Sequence, residues 1–205
     1  LAKERRGKNG TDLVSVLVNG DMSDGIALSE RDFHTNFLLL VVAGNETTRH
    51  TISHTMINLI QNPDQLTKLQ ENPELIPWAV EEFLRFASPV YHFRRTATKD
   101  VEIHGQSIKS GEKIVTWFAS GNRDSSIFER ANKFDVTRNP NEHMTFGRGG
   151  PHMCLGNALA RIELRVMFED LISRIDSMEL TGPVDYLRSN FVHGIKRMPV
   201  RVKLR

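Results

Sequence analysis

The stretch HMTFGRGGPHMCLGNALAR, residues 143–161, contains the single cysteine of the chain, Cys154. Gly147, Gly149 and Gly150 precede it, and an amphipathic helical pattern follows it. Glycine permits positive φ angles and leaves the backbone bare, so the loop can turn tightly or let a flat molecule approach. A thiol on the first turn of a helix faces the positive end of the helix dipole, which favours the thiolate. The stretch therefore predicts a nucleophilic or metal-ligating cysteine on the first turn of a helix.

The residues alone leave three roles open for Cys154. A nucleophile needs a neighbouring base, for which His152 is the candidate. A zinc site is disfavoured because one cysteine and scattered histidines give no recognised ligand spacing. A buried structural cysteine is the third interpretation, because free cysteine is among the most buried residue types.

The composition is that of an ordinary globular protein, with 39% hydrophobic and 25% charged residues among 205. A net charge of +2 is too small to indicate nucleic acid or an anionic membrane as the main partner. The longest apolar run, 37–43, falls far short of the ~20 residues that span a bilayer. The basic, polar start of the chain does not resemble a signal peptide. A lone cysteine favours a reducing compartment, so we expect a cytoplasmic protein without a membrane anchor.

Hydrophobic periodicity predicts a mainly α-helical chain with a small β portion. A connecting segment, 1–28, contains a short helical candidate at 12–18. Ser29 and Asp32 form an acidic capping box that opens a long helix over 29–62. Its predicted apolar stripe comprises Phe37, Val41, Thr48, Ile52, Met56 and Leu59.

Further elements follow the long helix. Helices are predicted over 63–70 and 73–86, each opened by a proline. Alternating β-branched and aromatic residues predict a small sheet over 93–119. A last helix is predicted over 155–175, after a loop at 143–156. Its expected apolar stripe comprises Leu155, Leu159, Ile162 and Val166.

Two further motifs stand out. In AGNETT, residues 43–48, small side chains at Ala43 and Gly44 leave room for a flat ligand, while Glu46 and Thr47 supply a carboxylate and a hydroxyl. The alternative is an ordinary solvated helix face. In EFLR, residues 82–85, Glu82 and Arg85 share a helix face, which by itself is typical of a surface ion pair.

The loop FGRGGPHMCLG resembles the haem-binding signature F-G-x-G-x-H-x-C-x-G of the cytochrome P-450 superfamily, with one extra residue before the cysteine. AGNETT resembles A-G-x-[DE]-T-T of that family's long central helix, and EFLR its E-x-x-R pair. The three motifs occur in the family's order, and the resemblance covers essentially the whole chain. It implies the C-terminal part of the cytochrome P-450 fold, with a long central helix, a haem-loop helix and short β-sheets. We expect the amino-terminal half of the fold to be missing.

The resemblance also implies site residues. Cys154 takes the position of the axial ligand to the iron of haem b (iron protoporphyrin IX), and Glu46 and Thr47 that of the acid–alcohol pair thought to deliver protons during oxygen activation. Other positions that match haem contacts are Ala43, Arg95, His143, Phe146, Gly147, His152 and Gly156. Among these, Arg95, His143 and His152 match propionate partners. Glu82, Arg85 and Arg138 match structural supports of the haem core.

The implied activity is that of a haem-thiolate monooxygenase, which inserts one oxygen atom from O₂ into a small apolar substrate. Electrons would come from a ferredoxin-type partner, with Arg148 and Arg161 as candidate docking residues. Similarity to one bacterial branch implies hydroxylation of an aliphatic, terpenoid or sterol side chain. The candidate substrate pocket comprises Leu40, Ala43, Val90, Tyr91 and Phe191. Alternatives are a peroxide-driven peroxygenase, a truncated haem-binding fragment without turnover, or a helical remnant that binds nothing.

Overall fold

The computed structural model describes residues 1–8, 10–20 and 28–205. The predicted connecting segment, 1–28, therefore lies partly outside the described residues. The chain divides into two compact units, residues 1–46 and 47–205, and each is considered by itself. Among the described residues, no helix is both long enough and apolar enough to cross a bilayer.

The first unit begins with two short helices, α1 (Ala2–Arg5) and α2 (Leu13–Asn19). Asp12 caps α2, because its Oδ1 accepts a hydrogen bond from the Ser15 amide at 3.0 Å. The predicted helical candidate at 12–18 is thus present, shifted by one residue. The Asn19 side chain at the end of α2 donates to the carbonyl oxygens of Arg5 and Lys8, at 2.9 and 3.0 Å.

The long predicted helix is α3, Glu30–Gln61, which begins in the first unit and ends in the second. Ser29 Oγ accepts a hydrogen bond from the Asp32 amide at 3.1 Å, the forward half of a capping box. The Asp32 carboxylate accepts from the Ser29 hydroxyl at 2.6 Å, so this bond links the two side chains directly. Asn62 follows the last helical residue, as the proline at 63 predicts.

The predicted apolar stripe of α3 is only partly buried. Leu59 is fully buried, and Ile52 and Met56 pack against the core of the second unit. Phe37 and Val41 are 39% and 48% exposed. In the second unit, most of the buried side chains of α3 lie outside the predicted stripe, namely His50, Thr51, His54, Thr55 and Ile57. The predicted stripe is therefore only a part of the covered surface of the helix.

The second unit contains four further α-helices among the described residues. These are α4 (Pro63–Glu71), α5 (Ile76–Ala87), α6 (Phe118–Gly121) and α7 (Asn157–Arg174). The predicted helix at 73–86 is divided, because a 3₁₀ turn at Pro73–Leu75 precedes α5. Ser88, the residue after α5, has a left-handed conformation with a φ of +42°.

The strands form antiparallel pairs rather than one sheet. β1 (His92–Thr96) pairs with β4 (Lys113–Trp117), and β2 (Val101–Ile103) pairs with β3 (Gln106–Ile108). The predicted sheet at 93–119 is therefore two ladders, and its last two residues belong to α6. Near the end of the chain, β5 (Ile175–Leu180) pairs with β8 (Val200–Leu204), and β6 (Asp185–Tyr186) pairs with β7 (Ile195–Arg197).

α5 and α7 share the hydrophobic core of the second unit. Phe83 of α5 and Phe168 of α7 are fully buried, with ring centroids 4.7 Å apart. Leu164 and Ile172 flank Phe168 one turn away on the same face of α7 and are also buried. Burying an aromatic side chain stabilises a fold by roughly 1.5–3 kcal/mol, so this face fixes α7 against α5.

The predicted apolar stripe of α7 is wrong. Leu155, Leu159, Ile162 and Val166 are between 59% and 84% exposed, whereas the face of Leu164, Phe168 and Ile172 is buried. α7 carries apolar residues on more than one side. A period of 3.6 residues fits both faces, and only the packing partner α5 distinguishes them.

Candidate functional site

Cys154 lies three residues before α7, which begins at Asn157 with Gly156 as its N-cap residue. The prediction that Cys154 occupies the first turn of the helix is therefore wrong. Its backbone forms bonds outside the helix: the amide donates to the Phe146 carbonyl at 2.9 Å, and the carbonyl accepts from Asn157 Nδ2 at 2.7 Å. Both polar backbone groups of the cysteine are thus fixed, while its side chain is exposed.

The glycines of the loop adopt left-handed conformations. Gly147, Gly149 and Gly150 have φ angles of +73°, +70° and +77°, which L-residues with side chains rarely adopt. The expectation that this loop can take positive φ angles is confirmed. Gly156 differs, because its φ is −83° and no atom lies within 4 Å of the position that a Cβ would occupy.

The predicted propionate partners are placed differently from one another. Arg95 lies on β1 and is exposed, with Nη1 donating to the Arg94 carbonyl at 3.1 Å. His152 is also exposed. Both therefore offer donors to an anionic ligand.

The structure does not support His143 as a propionate partner. Its side chain is 3% exposed, and Nε2 lies 3.0 Å from Glu81 Oε2. Nδ1 accepts the Thr145 amide at 3.2 Å, so Nε2 carries the proton and donates to Glu81. With both ring nitrogens engaged inside the protein, no donor remains for a ligand.

Glu81 of α5 holds a second partner, Arg161 of α7. Arg161 Nε and Nη2 donate to the two carboxylate oxygens at 2.7 and 2.9 Å, which is a bidentate pair. Burial raises the pKa of Glu81, but the hydrogen bonds from His143 and Arg161 outweigh burial and lower that pKa to about 2. Glu81 is therefore ionised at neutral pH.

The predicted docking residues Arg148 and Arg161 both have acidic partners within the chain. Arg161 is bound to Glu81, and Arg148 Nη2 lies 2.8 Å from Glu142 Oε2. The charge of Arg161 is already paired with Glu81 within the chain, so the structure favours a structural role for Arg161 over the docking of a redox partner. The sequence did not indicate Glu81, which directly precedes the conspicuous Glu82.

Glu82 and Arg85 form a fully buried ion pair. Arg85 Nε donates to Glu82 Oε2 at 2.7 Å, and Nη2 donates to Oε1 at 2.8 Å. The third predicted member, Arg138, places Nε 3.2 Å from Glu82 Oε2 as an ion pair without hydrogen-bond geometry. Arg138 Nη1 instead donates to the Glu129 carbonyl at 2.8 Å.

Arg85 also organises the chain that leads to the cysteine loop. Its Nη1 donates to the carbonyls of Asn122 and Ala131, at 2.6 and 2.8 Å. Asn122 is completely buried, and its Oδ1 accepts the Met144 amide at 2.7 Å. Asn122, which directly follows α6, is a structural support that the sequence did not indicate, since an isolated asparagine carries no distinguishing pattern.

The predicted pocket residues of the second unit lie together. The Tyr91 amide donates to the Phe191 carbonyl at 2.9 Å, and Val90 forms an isolated β-bridge with Val192. The Phe191 ring packs edge-on against Phe93, with centroids 5.6 Å apart. Leu40, Ala43 and Glu46 belong to the first unit, where they lie on α3; Thr47 is the first residue of the second unit.

A histidine cluster lies behind the Tyr91–Phe191 contact. His54 Nε2 donates to the His193 carbonyl at 2.9 Å, and the two rings lie 3.7 Å apart, centroid to centroid. His193 Nδ1 donates to the Ala87 carbonyl at 2.7 Å. Burial lowers the pKa of His54 to about 4 and also lowers that of His193. Both histidines are neutral at pH 7.

The donor set around Cys154 suits haem better than a bare metal ion. Among the described residues, no group of three or more His, Cys, Asp or Glu side chains is placed to hold a metal ion. The exposed thiol is flanked by Met153 and Leu155, which are 48% and 84% exposed. One sulfur ligand between apolar side chains fits the metal and face of a porphyrin, and the exposed Arg95 and His152 suit its carboxylates.

The chain is similar in sequence to known proteins. Residues 2–202 match the family model described as Cytochrome P450. The chain is 47% identical to the linalool 8-monooxygenase of Pseudomonas putida over 200 residues, covering 98% of this chain and 49% of that protein. It is 45% identical over 201 residues to a methyl-branched lipid omega-hydroxylase of Mycobacterium bovis, covering 98% and 47%. The chain thus spans about half the length of these relatives.

Solved structures agree with the sequence comparison. The cytochrome P450 CYP268A2 of Mycobacterium marinum, in complex with pseudoionone, superposes with a TM-score of 0.92 at 46% identity. The match covers 97% of this chain and 48% of that one. Substrate-free CYP109E1 of Bacillus megaterium gives a TM-score of 0.90 at 37% identity, covering 100% of this chain and 53% of the other.

Proposed function

This chain belongs to the cytochrome P450 family. We propose that it is the part of a haem-thiolate monooxygenase that contains the cysteine ligand. The reaction inserts one oxygen atom from O₂ into an apolar substrate, and the Cys154 sulfur ligates the haem iron. The observation that carries this proposal is an exposed thiol whose backbone amide and carbonyl are both hydrogen-bonded. A ligand atom on a fixed backbone needs little reorganisation when it binds.

Haem, when bound, supplies the oxygen-activating chemistry, and a thiolate ligand donates electron density that favours O–O cleavage. The chain contributes binding and orientation. Cys154 supplies the sulfur, and the left-handed glycines keep side chains away from the loop surface. Arg95 and His152 are assigned to the propionates, since both are exposed and can donate hydrogen bonds.

Proton delivery is assigned to Glu46 and Thr47, consecutive residues of α3. The Thr47 hydroxyl would donate the proton from Oγ1, and the Glu46 carboxyl would replenish it from solvent.

The substrate is proposed to be an aliphatic, terpenoid or sterol side chain. Tyr91 and Phe191 are joined by a backbone hydrogen bond, and the neighbouring Val90 pairs with Val192. Val90, Tyr91 and Phe191 offer a mainly apolar surface for such a molecule. The two named relatives are a linalool 8-monooxygenase and a methyl-branched lipid omega-hydroxylase, and linalool and branched lipids are largely apolar. A ferredoxin-type protein would supply electrons in the cytoplasm.

The first experiment is the reduced, CO-bound difference spectrum of the full-length, haem-loaded protein. The parent protein should show the red-shifted Soret band of a thiolate ligand, and the Cys154→Ala variant should lose it. An unshifted band in both proteins would contradict the ligand assignment.

A second experiment tests the oxygenase mechanism. Thr47→Ala should still bind haem but divert electrons from product to peroxide, and Thr48→Ala is the neighbouring control. Full coupling in Thr47→Ala would refute the proton-delivery role and favour peroxide-driven chemistry.

A further inference from the structure

We propose that Glu81 is a positioning residue for Cys154, acting through Arg161 on the two residues that hold the cysteine backbone. The inference rests on the proposed function, in which the Cys154 thiolate ligates haem iron. Glu81 itself is assigned no contact with haem, substrate or the thiol.

The first step is the fixed orientation of Arg161. Its guanidinium binds both oxygens of the Glu81 carboxylate, at 2.7 and 2.9 Å. Two parallel hydrogen bonds hold the guanidinium plane as well as its position, which a single bond would not do. The Arg161 side chain is 35% exposed and that of Glu81 23%, so the pair is partly shielded from water.

The second step links Arg161 to the amide side of Cys154. The Arg161 guanidinium carbon lies 4.6 Å from the centroid of the Phe146 ring, which is a cation–π contact. The carbonyl of Phe146 accepts the Cys154 amide at 2.9 Å. The oriented guanidinium therefore supports the residue that binds the cysteine N–H.

The third step links Arg161 to the carbonyl side of Cys154. Arg161 Nη1 donates to Asn157 Oδ1 at 3.0 Å. Because this bond uses the side-chain oxygen of Asn157, the side-chain nitrogen Nδ2 donates to the Cys154 carbonyl, at 2.7 Å. One guanidinium thus contacts both residues whose bonds fix the cysteine backbone.

His143 strengthens the same arrangement. His143 is the second hydrogen-bond partner of the Glu81 carboxylate, at 3.0 Å, and the centroid of its ring lies 5.8 Å from that of the Phe146 ring. Phe146 therefore contacts two side chains that are both bound to Glu81. A change at Glu81 releases both of these contacts at once, without removing any atom from the loop itself.

The test measures the ligand state of the thiolate in the full-length, haem-loaded protein. Glu81→Gln keeps the size of the side chain but removes the charge that binds Arg161. We expect the reduced, CO-bound form to convert from the thiolate band to the unshifted band roughly tenfold faster than in the parent protein, as lost charged hydrogen bonds imply. Arg161→Met should behave similarly. The double variant should be no faster than Glu81→Gln alone, because that change already releases Arg161 together with His143.

Two controls separate positioning from general stability. Glu169→Gln breaks an exposed pair with Arg165 on α7 and should convert at the parent rate. Phe168→Leu removes packing from the α5–α7 interface without touching this path. Phe168→Leu and the parent protein are each measured at the same number of degrees below their own melting temperature. Under these conditions Phe168→Leu should also retain the thiolate band.

Three results would overturn the inference: a parent-like rate in Glu81→Gln, additive rates in the double variant, or equally fast conversion in Phe168→Leu. A parent protein without any thiolate band would instead refute the proposed function. The two failures are therefore distinguishable.

Discussion

The Glu82 carboxylate and the Arg85 guanidinium meet through two hydrogen bonds of 2.7 and 2.8 Å, and neither side chain is exposed to solvent. The cost of removing both charges from water is offset only because every strong donor and acceptor has a partner. Asn141 Nδ2 and the Asp135 amide also donate to Glu82, each at 2.9 Å. The pair is thus the centre of a network and not an isolated bond.

Arg85→Met should therefore destabilise the protein severely. The substitution leaves the Glu82 charge buried and the carbonyls of Asn122 and Ala131 without their donor. We expect a loss of about 3–5 kcal/mol in the free energy of unfolding, measured by urea denaturation. Arg165→Met, which breaks an exposed pair on α7, should cost less than about 1 kcal/mol. Similar losses for both variants would contradict the central role of the buried pair.

Gly147→Ala should strain the cysteine loop. Its φ of +73° costs a residue with a Cβ about 1–2 kcal/mol. Gly156→Ala is the matched control, because Gly156 has a φ of −83° and open space around it. The two free energies of unfolding should therefore differ clearly. Equal values would mean that the loop relaxes to another backbone conformation at little cost.

The stability of the protein should fall as the pH decreases from about 6.5 to about 4, the interval between the ordinary pKa of histidine and that of His54. Because burial depresses this pKa in the fold, the unfolded chain takes up the proton first and is favoured in this interval. His193, whose pKa is also lowered, adds to the effect. Each such group changes the free energy of unfolding by up to about 1.4 kcal/mol per pH unit.

The variant His54→Gln isolates this contribution. Glutamine can still donate to the His193 carbonyl but does not titrate, so the slope of stability against pH should become shallower. The slope of stability against pH would be measured from denaturation midpoints at about pH 4.5, 5.5 and 7, which cover most of this interval. An unchanged slope would assign the acid sensitivity to other groups. Among the charged and titratable groups near His54 are His50, His193, Tyr186 and, next to His193, Arg123.

The sequence predicted local features better than tertiary ones. The capping residue Ser29, the prolines that open α4 and the 3₁₀ turn before α5, and the positive φ angles of the loop all depend on neighbouring residues. Local chemistry determines them. The start of α7 was misplaced because Cys154 bonds across the loop to Phe146, and no helical pattern records such a bond. The contact between His143 and Glu81 was missed for the same reason, since the two residues lie 62 positions apart in the sequence.

For the E-x-x-R pair, the sequence predicted the contact between the two side chains but not their burial. Its spacing placed Glu82 and Arg85 on one helix face, and the structure confirms their contact. By spacing alone, however, such a pair is typical of a solvated surface, whereas this one is fully buried. Burial depends on the segment that covers α5, and that segment has no periodic pattern of its own.

That covering segment, residues 122–156, is described throughout and contains neither helix nor strand. Its backbone is nevertheless bonded to distant side chains. The Val136 amide donates to Gln65 Oε1 at 2.9 Å across 71 residues of sequence, and both residues are buried. Amide protons held in this way should exchange with heavy water as slowly as those inside a helix. The irregular trace should also tolerate insertions poorly, since a single added residue would shift every later amide and carbonyl away from its side-chain partner.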